Sequence, residues 1–214
     1  IREIDAALAE KGWVAAGVYA DLATRKAADL PFEITSPTLE GYLFPETYKI
    51  VPSRFSAEEL IERQLALFRD RFLAHHPEGF GQRTLHDVVV VASMLEREEP
   101  KPANRPLVSG VIWKRLDTGW ELGIDATSRY TLADWNDRDA FLKLLKDPDD
   151  AYGTRVRKGL PPTAIGNPAT ESLEAAAAPI ASEYWYYLHD PQGNLHPARD
   201  AAGHEANRTK YGVR

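Results

Sequence analysis

Apolar positions recur with a helical period over most of this chain, and the breaks between periodic stretches carry proline and glycine. Ile4, Ala7 and Leu8 lie at helical spacing and predict a first helix over residues 1–11, followed by a second over about 14–28. The period stops between residues 30 and 55, where Pro31, Pro37, Pro45 and Pro52 punctuate an extended segment that includes LEGYLFPETYKI. Helix resumes after Ser56, because Ser-Ala-Glu-Glu spells a capping box. Leu60, Leu65, Phe68 and Phe72 form its buried stripe, to about residue 75.

A further helix fits Thr84 to about Glu98. Its middle, from Val88 to Leu95, is apolar on every face and should lie deep in the core. Valine disfavours helix, so a buried strand is the competing reading of the same run. Asn104 to Thr118 predicts another helix, closed by Gly119, and the polar stretch LGIDATSRY follows as a loop. Residues 137–145 read as helix, 151–169 as a long structured loop containing GLPPTAIGNP, and 171–178 as a short helix stopped by Pro179. Tyr184 to Leu188 reads as a strand, which the turn Pro191-Gln192-Gly193-Asn194 reverses into a second near Leu195. No repeat and no linker divides residues 30–214. The predicted fold class is α+β, helix-dominated, with a small antiparallel sheet.

Composition narrows the function. The 214 residues are 43% hydrophobic and 27% charged, an ordinary globular balance. A net charge of -6 argues against nucleic-acid binding, which calls for a basic stripe. No apolar run approaches the roughly 20 residues that span a bilayer. With no cysteine, disulfides, thiolate metal sites and cysteine nucleophiles are excluded. The six histidines make no HExxH pattern, and neither a phosphate loop nor G-x-S-x-G occurs, so no metal or cofactor is called for.

Among ionisable residues Glu96 draws attention first. On a helix it shares a stripe with Val89, Ala92 and Ser93, which puts a carboxyl group at the end of a buried apolar segment. Desolvation there favours the neutral form, as a general acid requires. The bland alternative is a solvated helix end of Glu96, Arg97, Glu98 and Glu99. Asp125, beside Thr127 and Tyr130, reads either as one wall of a cleft or as an Asx-turn. Tyr184, Trp185, Tyr186 and Tyr187 alternate between two faces of their strand.

The order LEGYLFPETY, VVVASMLEREEP, NRPLVSGVIWKRLDTGWELGIDATSRY, GLPPTAIGNP and the aromatic strand resembles the YceG-like endolytic murein transglycosylases (MltG family), from about Leu39 to Tyr211. The resemblance implies a catalytic domain over residues 31–214. Residues 1–30 would then lead from a membrane anchor or a LysM-like wall-binding module. It implies a lyase that cuts the MurNAc-β-1,4-GlcNAc bond within peptidoglycan strands, leaves 1,6-anhydroMurNAc ends and limits nascent strand length. Its setting would be the outer side of the cell membrane, with glycan strands and cell-wall synthases (penicillin-binding proteins) as partners.

The first glutamate of the family's ASxxExE helix corresponds to Glu96, as acid and then as base toward the muramic C6 hydroxyl. Ser93, Asp125, Thr127, Tyr130 and Asn167 would line the substrate cleft. Intramolecular attack explains how one carboxyl can suffice where ordinary glycosidases use two. The family's LQxDPT loop is matched at Leu122, Asp125 and Thr127, with Gly123 for the glutamine and Ala126 for the proline. Its C-terminal Glu-His-Asn becomes Gly203-His204-Glu205. Two other readings are a hydrolytic muramidase using Asp125 and a non-catalytic peptidoglycan-binding or scaffolding domain.

Overall fold

A computed structural model describes residues 1–25, 32 and 35–213. Its elements, in chain order, are α1 (Arg2–Glu10), α2 (Val18–Arg25), α3 (Ala57–Arg71), α4 (Leu85–Glu98), α5 (Arg105–Asp117), α6 (Asp125–Tyr130), α7 (Arg138–Leu144), α8 (Thr170–Ala177), β1 (Tyr186–His189), β2 (Leu195–Ala198) and α9 (Ala201–Tyr211). The class is α+β, with helices around a two-stranded antiparallel sheet. The part of the second expected helix beyond Arg25 lies outside the described residues.

α4 is the centre. Its start is a capping box: Thr84 Oγ accepts from Asp87 N–H, and Asp87 accepts from Thr84 N–H. Every residue from Val88 to Leu95 is at most 1% exposed. All-round burial outweighs the weak helix propensity of four valines, since each is packed by neighbours on its own side. The competing strand does not form: among the described residues the sheet has two strands, too few to bury such a run on both faces. α8 packs most extensively on α4, where Ala175 and Ala176 allow close approach, and α5 covers another side. Trp113 Nε1 of α5 donates to Ala176 O at 2.9 Å and fixes the α5–α8 contact.

α1 and α2 share that core through Leu8, Tyr19 and Ala23. Asp5 of α1 caps α2: its carboxylate accepts from the N–H groups of Gly17, Tyr19 and Ala20. Tyr19 Oη then donates to Gln64 Oε1 of α3 at 2.6 Å. The described residues of 1–30 are thus packed on the rest, not set apart from it.

One local expectation differs from the structure, and one helix was not expected. LGIDATSRY is not a loop throughout, because Asp125–Tyr130 forms α6. That helix has only six residues and one buried side, which is too short for a period to show. α9 has no buried residue at all, so its sequence carries no apolar stripe. It is built from its ends: Asp200 accepts from Gly203 N–H at 2.7 Å, and Gly212 closes it in a left-handed conformation. α9 lies across both strands, whose register pairs Tyr187 with Pro197 and His189 with Leu195.

Gly110, inside α5, has a consequence that can be measured. A Cβ there would stand 1.9 Å from Ile180 O, on the chain that leaves α8. Gly→Ala ordinarily stabilises a helix interior by about 1 kcal/mol. Here Gly110→Ala should lower stability by about 2–3 kcal/mol, because backbone has to move. Denaturant unfolding reads the sign directly, and a stabilised variant would contradict this packing.

Candidate active site

The last turn of α4 presents two carboxylates, Glu96 and Glu98, in different directions. Two positions on a helix differ by about 200°, so the side chains cannot share a groove. Each opens into its own.

Glu96 borders a cavity of about 690 Å³ together with Ser93 and Asn167. Its Oε2 accepts from Ala169 N–H at 3.2 Å and from Arg105 Nη1 at 3.4 Å. Arg105 is buried, and its Nε also donates to Glu99 O at 3.0 Å. These contacts tie the end of α4 to the starts of α5 and α8.

The other residues expected on this side are equally engaged. Ser93 Oγ donates to Val90 O and accepts from Ile165 N–H, with 1% of the residue exposed. Asn167 Oδ1 accepts from the N–H groups of Gly41 and Leu43, while its Nδ2 donates to Glu40. Thr127 is fully buried and bonds Ile124 O and Thr154 Oγ1. Tyr130 Oη donates to Glu40. Burial and the charge on Glu40 push that phenol well above its ordinary pKa, so it stays a neutral donor. Ser93, Thr127, Tyr130 and Asn167 therefore hold the GYLFPET segment, α4, α6 and the GLPPTAIGNP loop together.

Glu98 lies in a separate cleft of about 590 Å³, and Asp125 is the one expected binding residue that lines it. Helix α6 presents Asp125 from its first turn, where Arg155 forms an ion pair with it at the rim. Behind it the backbone turns at Gly123, whose φ of +67° is the left-handed region that glycine tolerates. Gly123 N–H donates to Thr154 O at 2.9 Å. A glutamine at that position would be strained, so Gly123 is a backbone requirement of this loop.

Tyr187 Oη donates to Glu98 Oε2 at 3.3 Å. Burial raises the Glu98 carboxyl above the usual carboxylate range. Tyr187 opposes that, facing Asp125 adds to it, and His189 and Arg155 oppose it. Tyr187 itself is held neutral, pushed well above its ordinary value by burial and then by Glu98.

Arg115 frames the cleft. It donates to Leu122 O and Trp185 O, joining the Asp125 loop to the start of β1, and its guanidinium sits under the Tyr186 ring. Trp120 and Tyr186 form an aromatic rim, and His204 of α9 stacks on Tyr186 with ring centroids 5.2 Å apart. Burial lowers the His204 pKa.

Glu98, Tyr187, His189, Arg115 and Arg155 were not among the site residues expected from sequence. A signal existed for two of them: Tyr187 and His189 are two apart on a strand and so share a face. A carboxyl whose pKa burial raises, facing a second carboxyl that is paired to an arginine, in an open cleft with an aromatic rim, has the makings of acid catalysis on a glycan. Among the described residues no group of three or more His, Asp or Glu side chains is placed to hold a metal ion, and no helix is long and apolar enough to cross a membrane.

The structural role of Asn167 is testable. Asn167→Ala strands two backbone N–H groups and one carboxylate, so it should destabilise the fold by about 2–3 kcal/mol. Thermal melts check it, and an unchanged melt would release Asn167 from this role.

The profile of the YceG-like family matches residues 2–210. An endolytic murein transglycosylase of Bacillus subtilis is 29% identical over 174 residues, covering 81% of this chain and 48% of that protein. Another, from Streptococcus pneumoniae, is 27% identical over 182 residues, covering 81% of this chain and 32% of that protein. The chain thus spans about half, or less, of the length of these relatives. The crystal structure of a yceG-like protein from Listeria monocytogenes superposes with a TM-score of 0.72 at 25% identity, over 96% of this chain and 64% of that one. With a family profile matched over nearly its whole length and the same fold in a solved relative, this chain belongs to the YceG-like family.

Proposed function

We propose that the domain is an endolytic lytic transglycosylase of peptidoglycan, with Glu98 as its general acid. The observation that carries this reading is the pairing in one open cleft of Glu98, whose carboxyl pKa burial raises, with Asp125, paired to Arg155. The names of the relatives support the substrate: glycan strands of the cell wall. The work is accordingly extracytoplasmic, on strands made by cell-wall synthases, whose length the enzyme limits.

Lytic cleavage needs a proton for the departing GlcNAc O4 and a nucleophile for C1 of muramic acid. The nucleophile is the sugar's own C6 hydroxyl, so no bound water has to be positioned. Glu98 is suited to the first task because burial raises its pKa toward that of a proton donor and the Tyr187 hydroxyl orients its Oε2. Once ionised, it faces the positive charge developing at C1. The acid is thus assigned to Glu98 in place of Glu96, whose carboxylate ties α4 to α5 and α8. Asp125 in the same cleft keeps a hydrolytic muramidase as the second reading, with water in place of the C6 hydroxyl.

Digestion of purified sacculi followed by mass analysis of the products separates the two, since anhydro ends are one water lighter than reducing ends. Glu98→Gln should cut turnover by about 10²–10⁴-fold, the usual worth of general acid catalysis. Glu96→Gln should keep most of it. The opposite pattern in folded variants would return the acid to Glu96.

Stability gives an independent check. A raised carboxyl pKa means that the native state holds this proton more tightly than the unfolded chain does. Glu98 therefore favours the fold at low pH and opposes it as pH rises through the raised value. Glu98→Gln should melt no lower than wild type at neutral pH, and higher above it. A lower melt would show that the carboxylate, not the acid, is the form the fold prefers.

A further inference from the structure

The cleft contains a second proton-handling device that the acid does not use. Glu99, the residue that ends α4, is wholly buried. Its Oε1 accepts from Lys101 N–H at 2.8 Å and its Oε2 lies 2.9 Å from His189 Nε2. His189 is on β1, a quarter exposed, in the wall of the cleft that Glu98 lines. A carboxylate accepting from Nε2–H fixes both the ring's orientation and its tautomer, leaving Nδ1 as the basic nitrogen. Nδ1 has no partner among the described residues.

We propose that His189 is the general base of the lytic reaction, with Glu99 as its positioning residue. This rests on the lytic reading given above. As the C1–O4 bond breaks, the Glu98 proton goes to the departing oxygen. As the C6 oxygen bonds C1, its proton passes to His189 Nδ1. One proton leaves Glu98 and one arrives at His189, and exchange with solvent resets both without a co-reactant.

The anhydro bridge closes on the ring face from which the leaving oxygen departs, so acid and base must stand on the same side of the sugar. Glu98 and His189 line the same cleft, as that demand requires. They come from the end of α4 and from β1, close enough for His189 to influence the Glu98 carboxyl.

Other titratable groups surround His189. Glu98 and Glu99 approach from α4, and Tyr187 contributes its ring from the same strand. Across the cleft stand Arg115 of α5, Glu121 and Asp125 of the loop and α6, and Arg155. Tyr186 and His204 of α9 complete the wall. His204 is the one other imidazole there, so the experiment has to tell the two apart.

The test is the pH dependence of turnover on purified sacculi, scored as anhydro ends released. The wild-type rate should fall on the acid side, because a protonated imidazole cannot accept the C6 proton. His189→Ala should lose about 10²-fold in kcat at little change in KM, and should lose that acid limb. His189→Asn should behave the same way. Glu99→Gln, which keeps an acceptor but not its charge, should displace the limb, whereas His204→Gln should leave it in place.

A wild-type profile with no acid limb would overturn the proposal whether or not the variants fold. So would a His189 variant with wild-type kcat and limb, or a limb that disappears with His204. Wild-type products that end in reducing sugars, or no products, would instead defeat the lytic reading itself.

Discussion

The burial of α4 on all its sides is the constraint from which the rest of the structure follows. A helix with one apolar stripe can rotate by a few tens of degrees and still cover a core. A helix whose residues from Val88 to Leu95 are all enclosed cannot, because any rotation would force valine and leucine into occupied space. The direction in which each later side chain leaves α4 is therefore set by packing a full turn earlier. Glu96 and Glu98 inherit their separate environments from that rotation.

Neighbouring elements then give each carboxylate its task by what they bring to it. Around Glu96 stand a buried guanidinium and a backbone amide, which make it a joint between three helices. Around Glu98 stand aromatic rings, a tyrosine hydroxyl and a second carboxylate, which withdraw water and add negative potential. A carboxyl whose pKa is raised in this way contributes nothing favourable to folding at a pH where it ionises. The arrangement is a local cost of the kind that functional sites carry. It persists because Arg115 and the α4 packing fix the cleft walls independently of Glu98.

Departures from the family's usual spelling acquire physical meaning in this setting. Gly123 sits where the backbone is left-handed, so its lack of a side chain follows from the turn that aims Asp125 at the cleft. Gly203 occupies the first turn of α9, where its N–H completes the Asp200 cap. His204, one residue on, still reaches the cleft rim through its stack on Tyr186.

Much of this protein was legible in its sequence. Helix period, capping signals and turn residues located most elements, and the enclosed valine run announced the core helix, because these depend on neighbours within a few positions along the chain. Membership of a family was legible as well, through motifs in a fixed order. What only the tertiary structure decided was the assignment of near-identical side chains to different work. Ser93, Thr127, Tyr130 and Asn167 sit in motifs that resemble a binding site, and their polar atoms also join that motif to carbonyls, amides and Glu40, several of them from distant segments. Glu98 lies two residues from Glu96 with the same chemistry, and their difference comes from β1 and from the Asp125 loop. Local pattern fixes which way a side chain leaves its helix. The dielectric, charges and hydrogen bonds it meets belong to residues far away in sequence, and those set the environment of each carboxyl.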